Sequence, residues 1–184
     1  MAPRSCFHHE SYRIDSIELG IGALWQDRSL LSISLSPDRT AAFEHCLEAI
    51  PSGQRVEPIR LLPFPPPLAQ DFQNALAGKR VNWRWSASPC GGTHFQRRIW
   101  QLLDEIAPGE TISYGELGRR AMSPRGARAA GSACSRNPLP LRLPCHRVVS
   151  CDGGLGGFTG DLRLKAVLLA REVVENLAVG SYRP

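Results

Sequence analysis

The chain has 184 residues, 42% of them hydrophobic, and carries 22 Lys and Arg against 17 Asp and Glu for a net charge of +5. That is enough chain for one ordinary domain or two small ones, with apolar content to bury a core. No run approaches the roughly 20 apolar residues of a membrane span, and the opening Met1–His9 has no apolar stretch of the signal-peptide kind.

Residues 1–11 read as a loose arm. From Tyr12 to Leu35 the chain reads as strands, punctuated by Gly20 and Gly22 and turned at Asp27-Arg28. Ser36 and Pro37 suit the N-cap and first position of a helix that carries Ala42, Phe43, Cys46, Leu47 and Ile50 on one face. Six prolines between Pro51 and Pro67 make an extended connection, not a core element; a stiff internal linker is the plainer reading, and a Pro-rich ligand of the SH3-binding type from Pro63 onward is the alternative. A short helix over 68–77 closes at Gly78, and Val81–Trp85 alternates like a strand. Ser86 to Thr93, with Pro89, Gly91 and Gly92, marks a domain boundary, giving an N-terminal α/β domain over 1–88 and a second domain over 89–184.

The second half is mainly helical. His94–Ile106 places Phe95, Ile99, Leu102, Leu103 and Ile106 on one face, and Pro108-Gly109 turns the chain. Thr111 or Ser113 caps the next helix, which holds Tyr114 and Leu117 and runs to about Ala121; Ser123-Pro124 signals another start. Residues 126–136 are rich in small side chains, including Ala127, Ala129, Ala130 and Gly131, with Arg128 and Arg136 projecting. Two short helices about a tight turn make a helix-turn-helix. A compact Ala-rich core helix is the plainer alternative, but the arginines favour a nucleic-acid face. Between His94 and Arg147 there are nine Arg, no Lys and four acids, so the whole charge excess sits there in the residue suited to phosphate forks. The last helix is expected to start near Asp161, to send Leu164, Val167, Leu168 and Val174 to the core, and to hold Glu172.

The chemistry concentrates at Pro144-Cys145-His146-Arg147-Val148-Val149. Pro144 fixes the backbone ahead of Cys145. A thiol is mostly protonated at neutral pH, and an imidazole can take its proton. Neighbours on an extended chain point to opposite faces, so His146 reaches the sulfur only through a local turn or a bridging water. A buried structural Cys beside a surface His is the commoner meaning of a bare pair. The Gly-rich loop Asp152–Phe158 lacks a P-loop Lys and a dinucleotide spacing and reads as a backbone-lined pocket wall. Cys6, Cys46, Cys90, Cys134, Cys145 and Cys151 are expected as free thiols in a reducing compartment. Cys6 with His8 and His9, or Cys90 with His94, shows no tight ligand pair, so no metal and no cofactor is expected.

This hexapeptide, preceded by Arg136-Asn137-Pro138-Leu139-Pro140 and followed by the Gly-rich loop and an apolar helix, resembles the active-site signature of the O6-alkylguanine-DNA alkyltransferases (methylated-DNA–protein-cysteine methyltransferases). The resemblance runs from about Phe95 to Glu175; before that only the general layout matches. It implies an α+β protein with a small ribonuclease-H-like first domain and a second domain holding the helix-turn-helix and the cysteine. It implies single-turnover transfer of an alkyl group from O6-alkylguanine in double-stranded DNA to Cys145, with O4-alkylthymine a second candidate substrate. Some members carry zinc in the first domain, but no ligands map here. In this family's terms, Glu172 orients His146, His146 activates Cys145, and Tyr114 donates to a ring nitrogen. Asn137 ties the recognition helix to the active-site segment. Arg128 fills the stack that the extruded base leaves, from outside the pocket. Ala127, Ala129, Gly131 and Ser113 face the minor groove; Val148, Phe158 and Thr159 join Cys145 in holding the guanine.

The resemblance also implies a cytoplasmic protein, nuclear in a eukaryote, acting as a monomer with no membrane partner and with cooperative binding along DNA open. Glu172 is expected to act through His146 and not through folding. Phe158 stands where the family often has Tyr, Asp161 where it often has Gly, and Arg142 in what is usually an apolar strand. A non-catalytic lesion-binding relative would lack the cysteine, and a regulator would carry extra modules. A cysteine hydrolase using Cys145 and His146 would turn over and need no Arg-rich helix-turn-helix.

Overall fold

The computed structural model describes residues 5–50, 59–89 and 91–178. The sequence readings that fall on residues 1–4, on Pro51 and Pro58 and on Cys90 lie outside them. The fold is α+β, in two compact units. The first comprises residues 1–71, 83–92 and 138–140; the second comprises 72–82, 93–137 and 141–184.

In the first unit β1 (Ser5–Ile14), β2 (Ile17–Gln26) and β3 (Ser29–Leu35) form an antiparallel meander. β4 (Ile59–Leu61) pairs parallel to β1 and β5 (Ser86–Ala87) parallel to β3, giving the order β4-β1-β2-β3-β5. The two hairpins turn at Asp15 and Asp27, both with φ of 53°, a region that Asp tolerates better than most residues. Ser5–Ser11 is therefore strand and not a loose arm: its polar side chains hide the alternation, but its backbone completes the β1–β2 ladder from Ser5↔Gln26 to Ser11↔Gly20. Gly20 and Gly22 do not interrupt β2. They admit close neighbours: a Cβ on Gly20 would lie 2.0 Å from the Ser36 carbonyl oxygen, and one on Gly22 2.8 Å from Ala42 Cβ.

Helix α1 (Arg39–Glu48) packs on this sheet through Ala42 and Cys46, in a core with Phe7, Leu24 and Leu31. Its N-cap is Asp38, whose carboxylate accepts the Ala41 N–H at 2.7 Å; Ser36 instead accepts the Asp38 N–H. Asp and Ser cap about equally well, and Asp38 is the one that stands at the helix start within reach of the Ala41 N–H. Leu47 sits at the exposed edge of the helix. Within the Pro-rich connection β4 is extended and joins the sheet, but the last two prolines, Pro66 and Pro67, already belong to α2 (Pro66–Leu76). The strand expected over Val81–Trp85 is displaced to Ser86–Ala87, where Ser86 N–H donates to Arg28 C=O.

In the second unit α3 (His94–Asp104) opens with a capping box between Thr93 and Gln96 and buries Ile99, Trp100, Leu102 and Leu103. Ser113 caps α4 (Tyr114–Arg120), and α5 (Ala127–Ser135) follows after a connection over 121–126, longer than a tight turn. Ser123 and Pro124 lie inside that connection; α5 begins after Gly126 with no side-chain cap. Gly118 permits the approach, because a Cβ there would come within 2.8 Å of the Gly126 backbone. Ala130, Ala133 and Cys134 face inward, and Trp100 Nε1–H donates to the Ala133 carbonyl at 3.0 Å. Asp161 accepts the Arg163 N–H at 2.8 Å at the head of α6 (Leu162–Ala178). α6 buries Leu164, Lys165, Leu168 and Glu172, whereas Val174, expected in the core, is 65% exposed. No helix among the described residues is long and apolar enough to cross a membrane.

Candidate active site

Pro144 leads into a single turn of 3-10 helix, Cys145–Arg147, closed by Arg147 N–H to the Pro144 carbonyl at 3.0 Å. The local turn between Cys145 and His146 thus exists. It is pinned downstream by β7 (Val148–Val149), parallel to β6 (Ile112–Ser113), and upstream by Asn137, whose Nδ2 donates to the Leu143 carbonyl at 2.7 Å. Cys145, His146, Asn137 and Glu172 are all buried.

Next to Cys145 in the same turn, His146 places its Nε2 2.9 Å from Glu172 Oε1. An ionised carboxylate only accepts, so Nε2 carries the proton and Nδ1 is the basic nitrogen. Nδ1 is buried with no hydrogen-bond partner among the described residues. Burial pushes the His146 imidazole below its ordinary range; the Glu172 hydrogen bond and charge work against this, and the Arg147 and Lys165 charges reinforce it. His146 is therefore a neutral base. Burial raises the Glu172 carboxyl, but hydrogen bonds from His146 and Arg147, together with the Arg147 charge, outweigh it and hold the group at about 2.

Burial also raises the Cys145 thiol, opposed by a hydrogen bond with Asn137 and by the charge of Lys165. The sequence reading missed Lys165, a buried cation whose charge acts on Cys145. It is fully buried, and its Nζ donates to the carbonyls of Val148 (2.6 Å), Gly157 (3.1 Å) and Leu155. A signal was present: 165, 168 and 172 share one helical face, so this lysine interrupts an inward apolar stripe.

Cys145 opens on a cavity of about 440 Å³, within the roughly 300–1,000 Å³ of small-molecule sites. Its lining includes Tyr114, Ala127, Arg128, Gly131, Cys134, Cys151 and Phe158. Arg128, expected outside the pocket, is part of its wall because α5 runs along the cavity. The Gly-rich loop forms the opposite wall: Gly156 has φ of +66°, and a Cβ there would lie 2.6 Å from the Tyr114 ring. Tyr114 OH donates to the Gly157 carbonyl at 3.0 Å. Burial raises the Tyr114 phenol, so it stays protonated. Phe158 supplies an apolar face without a hydroxyl.

Other expected residues stand apart from the lining. Val148 spends its carbonyl on Lys165 and its N–H on the Cys145 carbonyl. The Thr159 hydroxyl donates to the Ser135 carbonyl at 3.3 Å. Ala129 is exposed on α5, and Ser113 is committed to capping α4 through the Glu116 N–H. Arg142 is no strand residue but a turn residue paired with Asp104. No group of three or more His, Cys, Asp or Glu among the described residues is arranged to hold a metal.

Residues 94–174 match the family described as "6-O-methylguanine DNA methyltransferase, DNA binding domain". A methylated-DNA–protein-cysteine methyltransferase of Mycobacterium leprae is 49% identical over 96 residues, 52% of this chain and 58% of the relative. The chain spans about half the length of the curated relatives it matches. Among solved structures, the O6-methylguanine methyltransferase of Mycobacterium tuberculosis superposes with a TM-score of 0.72 at 24% identity, over 92% of this chain and 93% of that one. An OGT of the same organism, in complex with DNA, gives 0.69 at 27% identity over 91% and 93%.

Proposed function

We propose that this chain, which carries the DNA-binding domain of the 6-O-methylguanine DNA methyltransferases over residues 94–174, repairs O6-alkylguanine in DNA by moving the alkyl group onto its own Cys145. One observation carries the reading. A single cavity brings Cys145 together with Tyr114 and with Arg128 of the helix-turn-helix, while His146, the next residue in the same turn, is paired with Glu172.

The residues divide the reaction as follows. His146 Nδ1 takes the Cys145 proton, directly or through water, and Glu172 stabilises the imidazolium. Lys165 favours the thiolate. The thiolate forms a C–S bond to the sp³ alkyl carbon as the C–O6 bond breaks, and the electron pair passes into the purine. The Tyr114 hydroxyl, once released from the Gly157 carbonyl, donates toward a ring nitrogen and offsets the developing charge. The product is a thioether with no carbonyl for water to attack, so each chain serves once. Because the sulfur is buried, the base has to leave the duplex to reach it. Arg128, which lines the cavity and is exposed on α5, then fills the gap from the minor-groove side.

The test is stoichiometry. Given a tenfold excess of duplex carrying O6-methylguanine, the protein is expected to stop at one transfer per chain and to retain the methyl group. Continued turnover would indicate a hydrolase. Binding without transfer would indicate a lesion-recognition protein.

A further inference from the structure

Glu172 is not engaged by His146 alone. Its Oε1 accepts from His146 Nε2 (2.9 Å), Arg147 Nη2 (2.8 Å) and Arg147 Nε (3.1 Å). Its Oε2 accepts from Arg147 Nε (3.1 Å) and the Gly109 N–H (3.0 Å). Arg147 is itself anchored, since its Nη1 donates to the Ile106 carbonyl at 2.5 Å. A carboxylate offers about four acceptor sites, so this one is filled. It cannot rotate without breaking the fork, and only the His146 contact joins it to the cysteine.

We propose that Arg147 is a positioning residue for transfer: its fork fixes the Glu172 carboxylate with Oε1 toward His146 Nε2, and its positive charge offsets the pull of that carboxylate on the imidazole. The inference rests on the reading of His146 as the base. The fork fixes the tautomer, Nε2–H with Nδ1 free. The charge keeps the ring unprotonated until the thiol gives up its proton. The charged and titratable groups facing His146 are Glu172 and Lys165 from α6 and Cys145 and Arg147 from its own turn; the segment beyond α3 contributes the Ile106 carbonyl and the Gly109 N–H to Glu172 and Arg147. Without Arg147 the undivided carboxylate charge acts on the ring, and imidazolium forms at higher pH.

The experiment is an NMR pH titration of the imidazole nitrogens on the substrate-free full chain. The His146 signal is identified by its disappearance in His146→Asn. Wild type is expected to show the Nε2–H tautomer. In Arg147→Gln the titration midpoint should move up by about one pH unit, the scale of losing one nearby like charge. Arg147→Lys keeps the charge and loses the fork. Its midpoint should stay with wild type while the single-turnover transfer rate falls about tenfold or more, as misplacement of a reacting group predicts. An Nδ1–H tautomer in wild type, an unmoved midpoint in Arg147→Gln, or full-rate transfer by Arg147→Lys would each overturn the proposal. Should Arg147→Gln not fold, the wild-type tautomer and Arg147→Lys decide. A protein that transfers no alkyl group would defeat the functional reading and leave the titration standing as measured.

Discussion

Substituting Glu172 with Gln preserves shape and removes one charge, and the sequence alone puts its effect on rate and not on folding. The structure predicts a large effect on both. Glu172 is 2% exposed and accepts from His146, from the Arg147 fork and from the Gly109 N–H. An amide has one accepting end, so its NH2 must face either the guanidinium or the Gly109 N–H, donor against donor. Arg147, with its side chain 13% exposed, is left as a buried charge without its counterion. Holding the carboxyl at about 2 instead of 4.5 corresponds to about 3 kcal/mol of stability at neutral pH. That agrees with the roughly 3–5 kcal/mol typical of breaking a buried pair. The sign follows from the depressed value. The contribution is present above pH 4.5, the ordinary carboxyl value, and is lost as pH falls toward 2. Urea unfolding of wild type and Glu172→Gln at pH 7, 4 and 2.5 measures it. The gap should be about 3 kcal/mol at pH 7 and should shrink steadily on acidification. A gap below about 1 kcal/mol at pH 7, the scale of one ordinary hydrogen bond, or a gap that does not change with pH, would refute the reasoning.

Lys165→Met removes a buried charge and three hydrogen bonds to the carbonyls of Val148, Leu155 and Gly157. The pH midpoint for alkylation of Cys145 by iodoacetamide should rise by about one unit, and an unmoved midpoint would remove Lys165 from the account. Arg128→Ala should slow repair of duplex O6-methylguanine by about a hundredfold, since extrusion costs a few kcal/mol. Because Arg128 also lines the cavity, the free base should slow by less than about tenfold, one-tenfold being about 1.4 kcal/mol. Equal losses on the two substrates, at matched salt, would exclude an extrusion role.

Where local chemistry decides structure, the sequence was legible. The shared face of Phe95, Ile99, Leu102, Leu103 and Ile106 announces α3, Thr111 or Ser113 announces the start of α4, where Ser113 is the cap, and the proline before Cys145 announces a bent segment. Where long-range pairing decides, it was not. Ser5–Ser11 looks like an arm because His8, His9 and Glu10 obscure the period, yet β2 supplies its hydrogen bonds. Ser86–Ala87 is a strand because β3 is beside it, while the more strand-like Val81–Trp85 has no such neighbour in the ladder. At the site, Cys145, His146, Tyr114 and Glu172 stand out by residue type and resemblance. Lys165 shows in the sequence only as a charge interrupting the inward face it shares with 168 and 172, and Arg147 acts through another side chain, a contact that leaves no spacing pattern in the chain. Val148 and Thr159 were expected to meet the guanine through their backbones; in the structure the Val148 carbonyl accepts from Lys165 and its N–H donates to the Cys145 carbonyl, while of Thr159 it is the hydroxyl that is engaged, with the Ser135 carbonyl.

The most direct test of the central claim is to find which sulfur receives the alkyl group, because Cys134 and Cys151 line the same cavity as Cys145. Burial pushes the Cys134 thiol far above its ordinary range, with the Cys145 charge adding to this, which makes it a poor nucleophile. After reaction with duplex O6-methylguanine and digestion, peptide mass mapping should place a gain of one CH2 on the peptide holding Cys145, and Cys145→Ser should bind the same duplex and gain nothing. Recovery of the methyl group mainly on Cys134 or Cys151, or transfer by Cys145→Ser, would contradict the account.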